Sequence, residues 1–132
     1  MNKQQNKALE LLRASQNLNH VAVLFSQLLV AEVMEVLIAF AAPYWEQVYT
    51  LAEDKHLLIE ISLPEAYKVE LKLYEDKDDQ ERYIDIILLQ EKDKRYTTRY
   101  VDYGKGFVYK STFTRPTSPR KMVELILKNS KK

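Results

Sequence analysis

His20 and His56 are the only imidazoles in the chain, and imidazole is the side chain whose ordinary pKa suits proton transfer near neutrality. Glu32 and Glu35 are spaced i,i+3, so both carboxylates can face the same side of a helix. Paired carboxylates do acid–base work or hold a divalent metal. Neither feature lies in a catalytic motif. His56 follows the polar stretch AEDK, and His20 opens an apolar run. No further oxygen or imidazole ligand falls beside the glutamates at a metal-binding spacing. The chain has no glycine-rich phosphate loop, no nucleophile elbow and no HExxH motif. It also has no cysteine, which removes disulfides, zinc–thiolate sites and thiol catalysis together. These residues therefore predict no catalytic centre, no metal and no cofactor, and they favour a non-enzymatic protein.

The cations are more informative. Residues 1–93 hold 9 Lys/Arg against 17 Asp/Glu, and residues 94–132 hold 11 against 2. A net charge of +1 thus hides an acidic and a basic part, a pattern that suits an anionic partner. The alternative is internal: the acidic loop EDKDDQE, residues 75–81, can neutralise the basic strands. Arg95, Arg99, Lys105, Lys110 and Arg115 are the candidate anion- or nucleic-acid-binding residues.

Four of these five lie in or beside YVDYGKGFVYKSTF, residues 100–113, which contains both glycines of the chain. Taking Gly104-Lys105 as the centre of a type II′ turn pairs Val101 with Val108, Tyr100 with Tyr109, Thr98 with Ser111, Thr97 with Thr112 and Tyr96 with Phe113. One face then carries Tyr96, Tyr100, Phe107, Tyr109 and Phe113, which are expected in the core. The other carries Arg95, Arg99 and Lys110, with Arg99 opposite Lys110. Like charges directly opposite are destabilising, so Asp85, Glu91 or a bound anion is expected beside them. Lys105, Gly106 and Phe107 match the start of the RNP1 pattern of RNA-recognition sheets. Val108, Lys110 and Thr112 do not, and the order of elements differs from that fold, so no family is assigned.

The elements that position these residues follow from periodicity. Residues 3–16 read as a short amphipathic helix. A long helix is predicted over 20–42, capped by Asn17 or Asn19, with Pro43 starting a further helix of three turns. The 20–42 helix is apolar nearly all round. It needs partners on two sides, one being the sheet. The other is either a second subunit or the flanking helices of the same chain, and self-association is favoured. Phe25, Leu29, Val33, Val36 and Phe40 are the candidate interface. The apolar run 21–45 is long enough to cross a bilayer, but Gln27, Glu32 and Glu35 within it argue against a membrane span.

From residue 56 the period changes to two. HLLIEISL, YKVELKLYE, RYIDIILLQ, KRYTTRYVD and FVYKSTF read as five strands. SPRKMVELILKNSKK reads as a closing helix over 118–129, with Ser118 as its cap and Pro119 at its first position. Helices followed by a run of strands predict an α+β fold: a long N-terminal helix on an antiparallel meander of about five strands, with a short C-terminal helix. A single domain is expected over 1–132, helical over 1–55 and sheet over 56–114. The N-terminal stretch has no apolar leader, so a cytoplasmic location is expected. The expected function is that of a small homodimeric accessory protein acting through an unidentified protein partner. The alternative is nucleic-acid or anion binding by the basic face of the 95–113 hairpin.

Overall fold

The computed structural model describes residues 1–64, 67–90, 94–102 and 104–115, with backbone alone at 67, 89–90, 94–96 and 113–115. It is an α+β structure. Helices α1 (Lys3–Ala14), α2 (Leu18–Gln27) and α3 (Val30–Ala41) lead through a 3₁₀ turn at Ala42–Tyr44 to a single turn, α4 (Trp45–Val48). Five strands follow: β1 (Leu57–Leu63), β2 (Tyr67–Asp76), β3 (Glu81–Gln90), β4 (Lys94–Asp102) and β5 (Phe107–Arg115). They form one antiparallel sheet in the order β1-β2-β3-β4-β5. The helix expected over 118–129 lies outside the described residues. Among the described residues no helix is long and apolar enough to cross a membrane.

The long helix expected over 20–42 is two helices. Leu28 (φ −96°, ψ 155°) and Leu29 (φ −67°, ψ 152°) are extended and make an elbow between α2 and α3. No proline or glycine stands there, so the cause is packing and capping. A straight helix with apolar residues all round would leave one side in water. The bend turns Val21 and Leu24 of one half, and Met34, Val36, Leu37 and Ala41 of the other, into one core, with Leu28 buried at the elbow itself. Glu32 caps the new start, its Oε1 accepting the Leu29 N–H at 2.9 Å. Pro43 does restart the chain, but α4 is one turn, not three.

α1 supplies much of the second cover that the apolar helices need. Asn2 and Gln5 cap it reciprocally: each side-chain oxygen accepts the other's backbone N–H at 2.8 Å. Its buried face presents Ala8, Leu9, Leu11 and Leu12 to α2 and α3. Gln5, also buried, donates to the Glu32 carbonyl at 3.0 Å, so no polar group is stranded.

The sheet buries one face against the helices. Ile61, Leu63, Val69, Leu71, Leu73, Ile84 and Ile86 form it, with Leu88, Tyr100 and Phe107 at its margin. In β2 the alternation is as expected: Val69, Leu71 and Leu73 are buried, while Lys68, Glu70 and Lys72 stand opposite them. β3, apolar on both faces after Asp85, is the central strand.

Candidate binding surface on the outer sheet face

The face turned away from the helices carries the chemistry. Tyr74 and Tyr83 are direct cross-strand partners. Their rings stack 4.8 Å apart at an interplanar angle of 6°. Asp85, two residues along β3, pairs with Arg99 of β4. The guanidinium grips the buried carboxylate with two bonds, Nε to Oδ1 at 2.8 Å and Nη2 to Oδ2 at 3.0 Å. Such a fork is among the stronger polar contacts a protein makes. Arg99 also lies 5.8 Å and 5.7 Å from the centroids of Tyr74 and Tyr83, within cation–π range. Lys110 Nζ comes from β5 to 5.5 Å from the Tyr83 ring.

The protonation states here are held by their neighbours. Hydrogen bonding to Asp85 raises the Arg99 pKa, so the guanidinium stays charged. Tyr83 donates to Glu81, and that bond pushes its phenol well up. Burial raises Tyr74, against the opposing pull of Arg99. Both phenols therefore stay neutral in the physiological range.

The hairpin register departs from the sequence expectation at one residue. Val101 pairs with Val108 and Tyr100 with Tyr109, as read. A register shift then follows between Arg99 and Tyr100, so Arg99 faces Ser111, Thr98 faces Thr112 and Thr97 faces Phe113. Lys110 is the extra residue, a β-bulge. Arg99 is thus not directly opposite Lys110. Asp85, one of the carboxylates expected there, answers Arg99. Tyr74 and Tyr83, which lie outside that hairpin, share the outer face with Arg99 and Lys110. Tyr109, expected in the core, is 59% exposed. It sits on an edge strand beyond the helical cover and meets Tyr100 edge-on at 6.0 Å.

Both glycines have positive φ, +107° at Gly104 and +103° at Gly106, a region that favours glycine. Asp102, buried at the start of the turn, holds them: its Oδ1 accepts the Gly104 N–H at 2.7 Å and the Gly106 N–H at 3.0 Å. Its other oxygen takes Arg82. Burial opposes ionisation of Asp102, but Arg82 and the two N–H groups outweigh it and the pKa is lowered. Arg82 lies 5.1 Å from the ring centroids of both Trp45 and Phe107, and those rings are stacked 5.7 Å apart. This cluster locks α4 to the hairpin.

Of the other candidate residues, Lys105 is exposed in the hairpin loop. Arg95 and Arg115 are register partners on β4 and β5, described as backbone. Phe25, Val33 and Phe40 are half-buried against the core and Leu29 is exposed, but Val36 is fully buried within its own chain and offers no surface. His20 and His56 are exposed. Glu32 is a cap that also accepts from Asn2 at 2.8 Å, and Glu35 accepts from Gln5 at 3.4 Å. Both carboxylates thus serve α1–α3 packing. Among the described residues no group of three or more His, Asp or Glu side chains converges as a metal site. Trp45 is buried in the Arg82 cluster. Asp76 Oδ1 accepts the Asp78 and Asp79 N–H groups at 3.1 Å and 3.3 Å, so this acid of the 75–81 loop serves its own turn.

The tyrosine stack was the feature missed in the sequence. Its signal was present: closing the β2–β3 hairpin on the polar tetrapeptide 77–80 makes Tyr74 and Tyr83 equidistant from the turn. Compared with models of known families, with curated proteins and with solved structures, the chain gives no significant match.

Proposed function

We propose that this is a non-enzymatic binding protein, homodimeric, that acts through protein–protein contacts. The observation that carries this reading is where the large apolar side chains left in water fall. Val23 lies within α2 and Leu29 at the elbow that follows, Leu58 lies on one edge strand, Val108 and Tyr109 lie on the other, and Met1 and Tyr49 are exposed as well. Exposed apolar side chains on both sheet edges suit association. Light scattering on a sizing column, from micromolar to near-millimolar protein, tests it. A dimer in slow or rapid exchange with monomer is expected. A monomer throughout overturns the homodimer.

A second reading is favoured by one specific observation, the sharing of a face by Tyr74, Tyr83, Arg99 and Lys110. Aromatics beside cations suit a single-stranded nucleic acid. Arg99 is engaged by Asp85, so Lys110 is the residue to test. Fluorescence anisotropy with oligonucleotides should show binding that weakens with salt and weakens further in Lys110→Glu. Absence of binding at low salt removes this reading.

A further inference from the structure

The middle of the outer sheet face is shielded from water, although the described helices pack on the other side. Ile87 of β3 lies between Glu70 of β2 and Thr97 of β4. Its neighbour Ile86 belongs to the core shared with the helices, so Ile87 points the opposite way. Ile87 stands outside that core, yet it is 2% exposed and Thr97 is 6% exposed. Leu58 and Val108, on the edge strands of the same face, are 45% and 52% exposed. The shielding is therefore local to the central strands. A strand that is apolar on both faces needs cover on both. Here the shielding exists within one chain, so the cover belongs to that chain and not to a second copy.

The course of the chain points to the segment that supplies it. β5 ends at Arg115, paired with Arg95. Thr97 is two positions from Arg95 along β4, so this is the end of the sheet nearer to the shielded patch. The next seventeen residues, 116–132, lie outside the described residues. Their sequence opens with Pro116 and Pro119; proline cannot extend a ladder and is favoured at the start of a helix. Met122, Leu125 and Ile126 then recur at helical spacing. A helix over 118–129 would be about 18 Å long. The span from β5 to β2 is about 14 Å. Such a helix would cross β4 and β3 and stop short of Leu58 on β1. Val108 lies at the other end of β5, out of its path.

We propose that residues 118–129 pack as a helix across the outer face over Ile87 and Thr97, with Met122, Leu125 and Ile126 turned to the sheet. The sheet is then covered on both sides, and the stacked Tyr74 and Tyr83, nearer the β2–β3 turn, stay open. The proposal does not depend on the homodimeric reading.

The chain has no cysteine, so paired cysteines report proximity cleanly. Glu70→Cys, opposite Ile87, would be combined in turn with Met122→Cys, Leu125→Cys and Ile126→Cys in the full chain and oxidised with copper–phenanthroline at micromolar protein. Lys105→Cys, in the exposed hairpin loop, replaces Glu70→Cys in the comparison set. An intramolecular disulfide, read as a linked tryptic pair from the monomeric band, is expected from at least one Glu70→Cys combination and from no Lys105→Cys combination. Leu125→Asp should also lower the urea midpoint by about 0.5 M or more, while Leu125→Met leaves it nearly unchanged. No bridge from Glu70→Cys, bridges only between chains, equal bridging from Lys105→Cys, or a midpoint unmoved by Leu125→Asp each overturn the proposal and leave the homodimeric reading to its own test.

Discussion

At the scale of single residues, the outer face and the hairpin rest on two carboxylates, Asp85 and Asp102. Each is buried and each is answered by an arginine on a neighbouring strand. Removing one partner of a buried charged pair costs more than the pair contributes, because the other is left without compensation. Asp102→Asn keeps the shape and loses the charge. It should lower stability at neutral pH by about 1–3 kcal/mol in urea titrations. The sign with pH follows from the lowered pKa of Asp102. Its contribution is fully present above its ordinary value of 3.8 and is lost as pH falls through the folded value. The difference between wild type and Asp102→Asn should therefore shrink as titrations move into the acid range below about pH 4. A difference that stays constant across that range would show that the carboxylate's charge is not what matters.

At the scale of elements, the bulge and the elbow are the two departures from regular structure. If Lys110 is an extra residue, deleting it leaves a regular ladder, with Tyr109 still opposite Tyr100 and Ser111 still opposite Arg99. Deletion should then cost less than about 1 kcal/mol in thermal or urea unfolding, because no side chain changes face. In an unbulged strand the same deletion would turn every residue from Ser111 onward to the other face, and the loss would be far larger. At the elbow, Glu32 supplies the cap of α3 and a tie to Asn2. Glu32→Ala should reduce stability by about 0.5–2 kcal/mol, read from the urea midpoint. No change would mean that the elbow is set by packing alone.

At the scale of the whole molecule, α1 is part of the core and not an appendage. Leu12 is buried between the helices and belongs to the same apolar cluster as the sheet residues. Leu12→Ala should cost about 2–5 kcal/mol by loss of burial and creation of a cavity, measured by urea unfolding. A cost under about 1 kcal/mol would mean that α1 packs loosely.

The parts of this architecture legible in the sequence were those with strictly local causes. Alternation with period two marks β2 as half-buried, and the double-sided apolar run after Asp85 marks β3 as central. Val101 with Val108, and Tyr100 with Tyr109, could be paired by counting back from Gly104. Those steps need only neighbours in the chain and the geometry of a turn.

What the tertiary structure alone decided had non-local causes. The break at Leu28–Leu29 carries no glycine or proline signal. It exists because two apolar half-helices reach one core better than a straight rod, and because Asn2 and Glu32, thirty positions apart, meet there. The bulge at Lys110 depends on which residue of β4 faces it, and one extra residue reverses the assignment of every side chain beyond it. Tyr74, Tyr83 and Arg99 share one face because the registers of β2, β3 and β4 set them side by side. Local pattern set the kinds of element and most of their order. Which face each side chain presents, and which charge answers which, was decided by register and packing across the sheet.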